Sequence, residues 1–196
     1  MDKIKKEVEQ LIAEKIRNIM NKINFPYIIA HDDEIFDKVQ KLSALVTELL
    51  KDKEIKEKFE ELANQSKVNG ENNDVKLEVF TMLRNIILHF PFFDKWEDIY
   101  LNRKILNWNR NKKGSIEKFF DKNKNKKLKY TIYMKHENKW NPEHEVNIEI
   151  PNLDDNKKIY LKDIISIKDI LWTFAIIDYY LDYIGYTLDT NCHLSI

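Results

Sequence analysis

Apolar residues recur along this chain in two rhythms: spacings of three and four over most of its length, and strict alternation over one shorter stretch. Between residues 3 and 24, Ile4, Val8, Leu11, Ile12, Ile16, Ile19 and Ile23 form a stripe among Lys and Glu, which predicts an amphipathic helix stopped by Phe25-Pro26. The same spacing predicts a helix over 33–50 around Phe36, Val39, Leu42, Val46 and Leu49, and a shorter one over 53–66 around Ile55, Phe59, Leu62 and Ala63. Residues 68–73 read as a loop. A further long helix follows from Asp74 to about Leu88, with Val79, Met82, Leu83, Ile86 and Ile87 inward and Pro91 as its stop.

Residues 94–109 are expected to be helical, and Ser115 to Phe120 to form a helical turn. Alternation then takes over. Leu128, Tyr130, Ile132 and Met134, followed by Val146, Ile148 and Ile150 across a polar connection containing Pro142, predict a two-stranded hairpin. A lone hairpin is marginal in water, so this one must pack on helices. Ser166-x-x-Asp169 is a capping box that opens a last helix, with Ile170, Leu171, Phe174, Ile177 and Leu181 on one face. The chain therefore reads as mainly α: a single helical-bundle domain over residues 1–196, with a small β-hairpin at about 128–150 inserted before the last helix.

Composition narrows the class. Three glycines and four prolines in 196 residues leave too little turn chemistry for an all-β fold, and 43% hydrophobic residues suffice for a substantial core. No apolar run approaches the roughly 18 to 20 residues of a membrane span. The charged start Met1-Asp2-Lys3-Ile4-Lys5-Lys6 reads as helix rather than signal peptide, so a cytoplasmic protein is expected. The single cysteine, Cys192, excludes an internal disulfide framework and any multi-cysteine zinc site.

Thirty-three Lys and Arg balance thirty-three Asp and Glu. The balance is uneven along the chain, because residues 103–129 hold eleven Lys or Arg against only Glu117 and Asp121, a local charge of +9. Arg103, Arg110, Lys112, Lys113, Lys122, Lys124, Lys126 and Lys127 are interleaved there with Trp108, Phe119 and Phe120, a mixture suited to phosphate contacts and base stacking in RNA binding. The other reading of this stretch is a solvated linker whose aromatics belong to the core.

The most concentrated chemistry lies in Arg84-Asn85-Ile86-Ile87-Leu88-His89, where a guanidinium, an amide and an imidazole interrupt an otherwise apolar helical run. Of the four arginines, only Arg84 has a histidine four to six residues further on. Asn85 and His89 share a helix face, whereas Arg84 and His89 diverge by about 140°, so two chains bringing these edges together across a two-fold axis would build a better pocket than one.

Arg-Asn-x-x-x-His at the end of an inner helix of a bundle resembles the signature of the HEPN superfamily, an arginine followed after four to six residues by a histidine. The resemblance implies a dimeric, metal-independent endoribonuclease without a cofactor, of the kind found in antiviral defence and toxin–antitoxin systems, with RNA as substrate and a cognate antitoxin or regulatory protein as a further partner. It also implies roles. His89 would serve as general acid or base, Arg84 would hold the phosphate bidentately, and Asn85 would orient backbone or imidazole while the RNA 2′-hydroxyl attacks the adjacent phosphate. DNA, lacking that hydroxyl, would be inert. In the competing reading Arg84 pairs with a carboxylate, His89 caps helix carbonyls, and the protein is a non-catalytic module binding RNA, a nucleotide or another protein.

Other clusters are more easily read as structure. His136-Glu137 with Glu143-His144 could gather a metal but read as exposed loop polarity, and His31-Asp32-Asp33-Glu34 reads as a helix start. Tyr179, Tyr180, Tyr183 and Tyr186 read as core and interface aromatics rather than a nucleotide cage.

Overall fold

The computed structural model describes residues 2–23, 33–66, 73–108 and 113–186. Of the loop expected at 68–73 all but Asn73, which opens a helix, lies outside the described residues, as do His31, Asp32, Arg110, Lys112 and Cys192, whereas a helix does start at Asp33 as the His31-Asp32-Asp33-Glu34 cluster predicts. The fold is mainly helical, as the three-four spacing predicts. Its elements are α1 (Asp2–Asn21), α2 (Asp33–Leu49), α3 (Lys53–Gln65), α4 (Asn73–His89), a 3-10 turn at Trp96–Asp98, β1 (Tyr100–Leu101), α5 (Arg103–Trp108), α6 (Lys113–Asn123), β2 (Lys127–His136), β3 (Lys139–Glu149), β4 (Ile159–Tyr160), a 3-10 turn at Leu161–Asp163, and α7 (Ile167–Tyr183).

Helix α2 has Val39, Leu42 and Val46 fully buried and packs against α1, α4 and α7. Asp52 caps α3 by accepting the Ile55 N–H at 3.0 Å. The capping box opens α7 as the sequence predicts: Ser166 Oγ accepts the Asp169 N–H at 3.1 Å and donates to Asp169 Oδ2 at 2.7 Å. The hairpin lays Tyr130, Ile132, Val146 and Ile148 on the bundle, β2 packing on both α7 and α4, so all these elements share one contiguous core.

Three local expectations are corrected, and the bounds of a fourth change. Residues 94–109 do not form one helix. Trp96 plugs the core with its indole N–H donating to the Ile165 carbonyl at 3.3 Å, Leu101 pairs with Ile159 across β1 and β4, and Asn102 then caps α5 by accepting the Ile105 N–H at 2.8 Å. Tertiary pairing overrides helical spacing there. The helical turn expected at 115–120 is present and only its bounds change, as part of the eleven-residue α6, anchored by the buried pair Phe119 and Phe120.

The polar connection of the hairpin is mostly strand as well. The chain reverses at Glu137-Asn138, both at positive φ (47° and 66°), a tight two-residue turn, and Pro142 falls beside the register shift at Ile132/Tyr133. Finally, the first half of the α1 stripe faces outward: Ile4, Val8 and Leu11 are exposed, and burial begins in earnest only at Ala13 and Ile16.

Candidate functional site

Helix α4 buries Val79, Met82, Leu83, Ile86 and Ile87, leaving little room for polar side chains on its inner faces. Two are present. Asn85 is only 7% exposed, and both ends of its amide are used: Nδ2 donates to Ser115 Oγ of α6 at 2.7 Å, while Oδ1 accepts Arg84 Nε at 3.2 Å and Nη2 at 2.9 Å. Arg84 is half-buried, and no carboxylate among the described residues forms an ion pair with it. Burial alone pulls its proton affinity below the ordinary arginine value, yet a guanidinium remains charged at neutral pH. The asparagine occupies two of the five N–H donors, so three remain for a ligand.

Arg84 also lines a cavity of about 260 Å³. Phe59 of α3, Phe80 of α4, Tyr130 of β2 and Ile177 and Tyr180 of α7 make its walls, with Lys56, Glu60 and Lys76 among the polar residues around it. Glu60 lies 3.9 Å from Lys56, and Lys76 stands 5.6 Å above the Tyr133 ring. Burial raises the Tyr130 and Tyr180 hydroxyls to about 12, so both stay protonated in the physiological range.

His89 is the last residue of α4 and half-buried. The helix runs unbroken through Arg84 and His89, the next N–H, that of Phe90, still donating to the Ile86 carbonyl at 3.0 Å. Along a regular helix the two residues are separated by about 7.5 Å of rise and about 140° of rotation, so their backbones do not aim them at one point. Asn85 narrows that gap. It lies about 100° around from Arg84 and only about 40° short of His89, so the hydrogen bonds drawing the guanidinium onto Asn85 swing it toward the face that carries His89.

The basic segment folds into something different from its linear charge. Arg103 donates to Glu117 at 3.1 Å and to Asp121 at 3.0 Å, Lys122 pairs with Glu78, Lys127 lies 3.6 Å from Glu149, and Lys129 pairs with Glu145. Each such surface pair adds little stability, and Glu117 and Asp121 are already counted in the +9, so the three carboxylates that the fold brings in, Glu78, Glu145 and Glu149, offset only part of the local charge. Lys124 and Lys126 are exposed at the turn between α6 and β2, and Lys113 opens α6. Phe119 and Phe120 sit in the core with rings 5.8 Å apart and do not present faces for base stacking.

The candidate metal cluster of the hairpin does not assemble. Strand alternation sends neighbours 143 and 144 to opposite sides. His136 Nε2 meets Glu143 at 3.0 Å near the turn, while His144 Nε2 meets Asp169 Oδ1 of α7 at 2.6 Å and its ring stacks on Trp172 at 4.9 Å. Among the described residues no group of three His, Cys, Asp or Glu side chains is placed to hold a metal ion. The sequence marks Asp169 only as a helix cap, and nothing in the spacing announces its second partner.

Of the four tyrosines near the C-terminal end, Tyr180 is buried against Phe59, Tyr179 donates to the Lys135 carbonyl at 3.2 Å, Tyr186 donates to Glu9 at 2.8 Å, and Tyr183 is exposed. Among the described residues no helix is long and apolar enough to cross a membrane. Comparison with protein-family models, with curated proteins and with solved structures gave no match to this chain.

Proposed function

We propose that this protein is a metal-independent endoribonuclease of the HEPN kind, with Arg84 as phosphate clamp, Asn85 as its positioning residue and His89 as general acid or base. One observation carries the reading: Arg84 is half-buried, is held by a neutral amide instead of a carboxylate, and keeps three donors for a ligand. A structural arginine in so apolar a place is ordinarily neutralised by an acid. One that is oriented but left charged is suited to an oxyanion, here the scissile phosphate and the charge that develops on it.

His89 then acts on the proton of the attacking 2′-hydroxyl or of the departing 5′-oxygen. Products carry a 2′,3′-cyclic phosphate and a 5′-hydroxyl. The rotation between Arg84 and His89 along α4 favours a site completed by the α4 edge of a second copy, so that one chain's Arg84 works with the other's His89. RNA cleavage that persists in EDTA and is lost in folded Arg84→Ala and His89→Ala supports this function. Full activity in both variants would refute it.

The divergence of the two side chains in a single chain favours a second reading, a module that binds an anionic partner at Arg84 without cutting it. Arg84-dependent RNA binding with no cleavage product in any variant would select it.

A further inference from the structure

The cavity beside Arg84 combines apolar walls with charged side chains. The cavity is open past the exposed Lys56, and for scale an engineered, enclosed cavity of about 150 Å³ takes benzene. At about 260 Å³ this one takes a body larger than a single six-membered ring. Its walls are aromatic and aliphatic, with Phe59, Phe80, Tyr130, Ile177 and Tyr180 contributed by four different elements. The charge lining it is predominantly positive, and the guanidinium of Arg84 has no counter-ion among the described residues. Apolar walls beside an oriented guanidinium suit a small molecule that is flat and apolar at one end and an oxyanion at the other.

We propose that the cavity binds a bicyclic-sized aromatic or similarly flat oxyanion, its apolar body between Phe59, Phe80 and Tyr180 and its carboxylate or phosphate on the open donors of Arg84. The claim concerns a small-molecule site that uses the same open donors of Arg84 as the proposed RNA phosphate, and it is read by ligand affinity rather than by RNA cleavage. Lys76, held over the Tyr133 ring, adds positive potential on the same side and favours the anionic form of the ligand. The amide of Asn85 fixes the guanidinium before the ligand arrives, which lowers the ordering cost of binding.

Calorimetric titration of the full chain with 2-naphthoate, 2-naphthyl phosphate and the neutral 2-naphthylmethanol tests this. The expected result is one saturable site for the anions, with the alcohol weaker by about tenfold or more, as expected when a charge-assisted hydrogen bond is removed. The tighter of the two anions identifies the head group the site was built for. Arg84→Gln should bring the anions down to the affinity of the alcohol. Ala63→Phe, which fills the cavity from α3, should weaken all three ligands while circular dichroism shows the fold retained. Equal affinity for the three ligands in the native protein, the absence of saturable binding, or native 2-naphthoate affinity in both folded variants would overturn the proposal.

Discussion

A single oxygen, Oδ1 of Asn85, accepts two hydrogen bonds from Arg84, at 3.2 and 2.9 Å, while the other end of the same amide donates to Ser115 at 2.7 Å. Asn85 therefore ties α4 to α6 and aims the guanidinium, two roles that substitution can separate. Asn85→Ala removes both and should lower stability by about 1–2 kcal/mol in urea unfolding, together with RNA affinity. Asn85→Asp keeps the hydrogen bonds to Arg84 but neutralises it, so RNA affinity measured by fluorescence anisotropy should fall by about tenfold or more with the fold intact. An aspartate variant that binds RNA like the native protein would show that Arg84 meets no phosphate.

The ion pairs along the basic segment rank its lysines. Lys122 and Lys127 are engaged by Glu78 and Glu149, whereas Lys124 and Lys126 stand exposed at the turn. Lys124→Gln with Lys126→Gln should weaken RNA binding more than Lys122→Gln with Lys127→Gln. The same change should flatten the dependence of log K on log salt by about one unit for each RNA phosphate that a lysine no longer neutralises. Anisotropy titrations at several salt concentrations read both quantities. Equal effects of the two double variants would mean that the intramolecular pairs open on binding.

Acid sensitivity should arise at the start of α3. The hydrogen bond from the Lys5 ammonium, then that from the Ile55 N–H, hold the Asp52 carboxyl below its ordinary 3.8. Its contribution is present above about pH 4 and fades as the pH falls through the lower folded-state value. Asp52→Ala should cost about 1 kcal/mol at pH 7, the usual cost of a missing helix cap, and the gap from the native protein should close below about pH 4 in chemical denaturation. A gap constant down to pH 2 would contradict the assignment.

Helices α1 to α4 and α7 were legible because each buries a stripe that the three-four spacing spells out, and the ends of α3 and α7 are marked by Asp52 and Ser166 acting locally. The stretch 94–109 was not, because the signals that divide it come from far away in sequence: Ile165 receives the Trp96 indole N–H and Ile159 pairs with Leu101. Periodicity also reports only that a face is apolar, not that something covers it, which is why Ile4, Val8 and Leu11 read as core yet are exposed. At the candidate site, the sequence placed Arg84, Asn85 and His89 on one helix with an apolar inner face. That Arg84 clasps Asn85 instead of an acid, and that a cavity opens beside it, depends on α3, α6, α7 and β2 arriving there. Linear charge was the poorest guide, since Glu78, Glu145 and Glu149 reach the +9 segment only in the fold.

The central claim is that Arg84 and His89 form one catalytic site between two copies of the chain, and mixing two inactive variants tests it most directly. Arg84→Ala and His89→Ala, each folded and each inactive alone, are mixed under conditions that allow subunit exchange, and RNA cleavage is followed in EDTA. Half of the resulting dimers would be mixed, each with one intact site of two, so activity should return to about a quarter of the native level, with 2′,3′-cyclic phosphate ends. A mixture that stays inactive while subunit exchange is demonstrated would contradict a shared site.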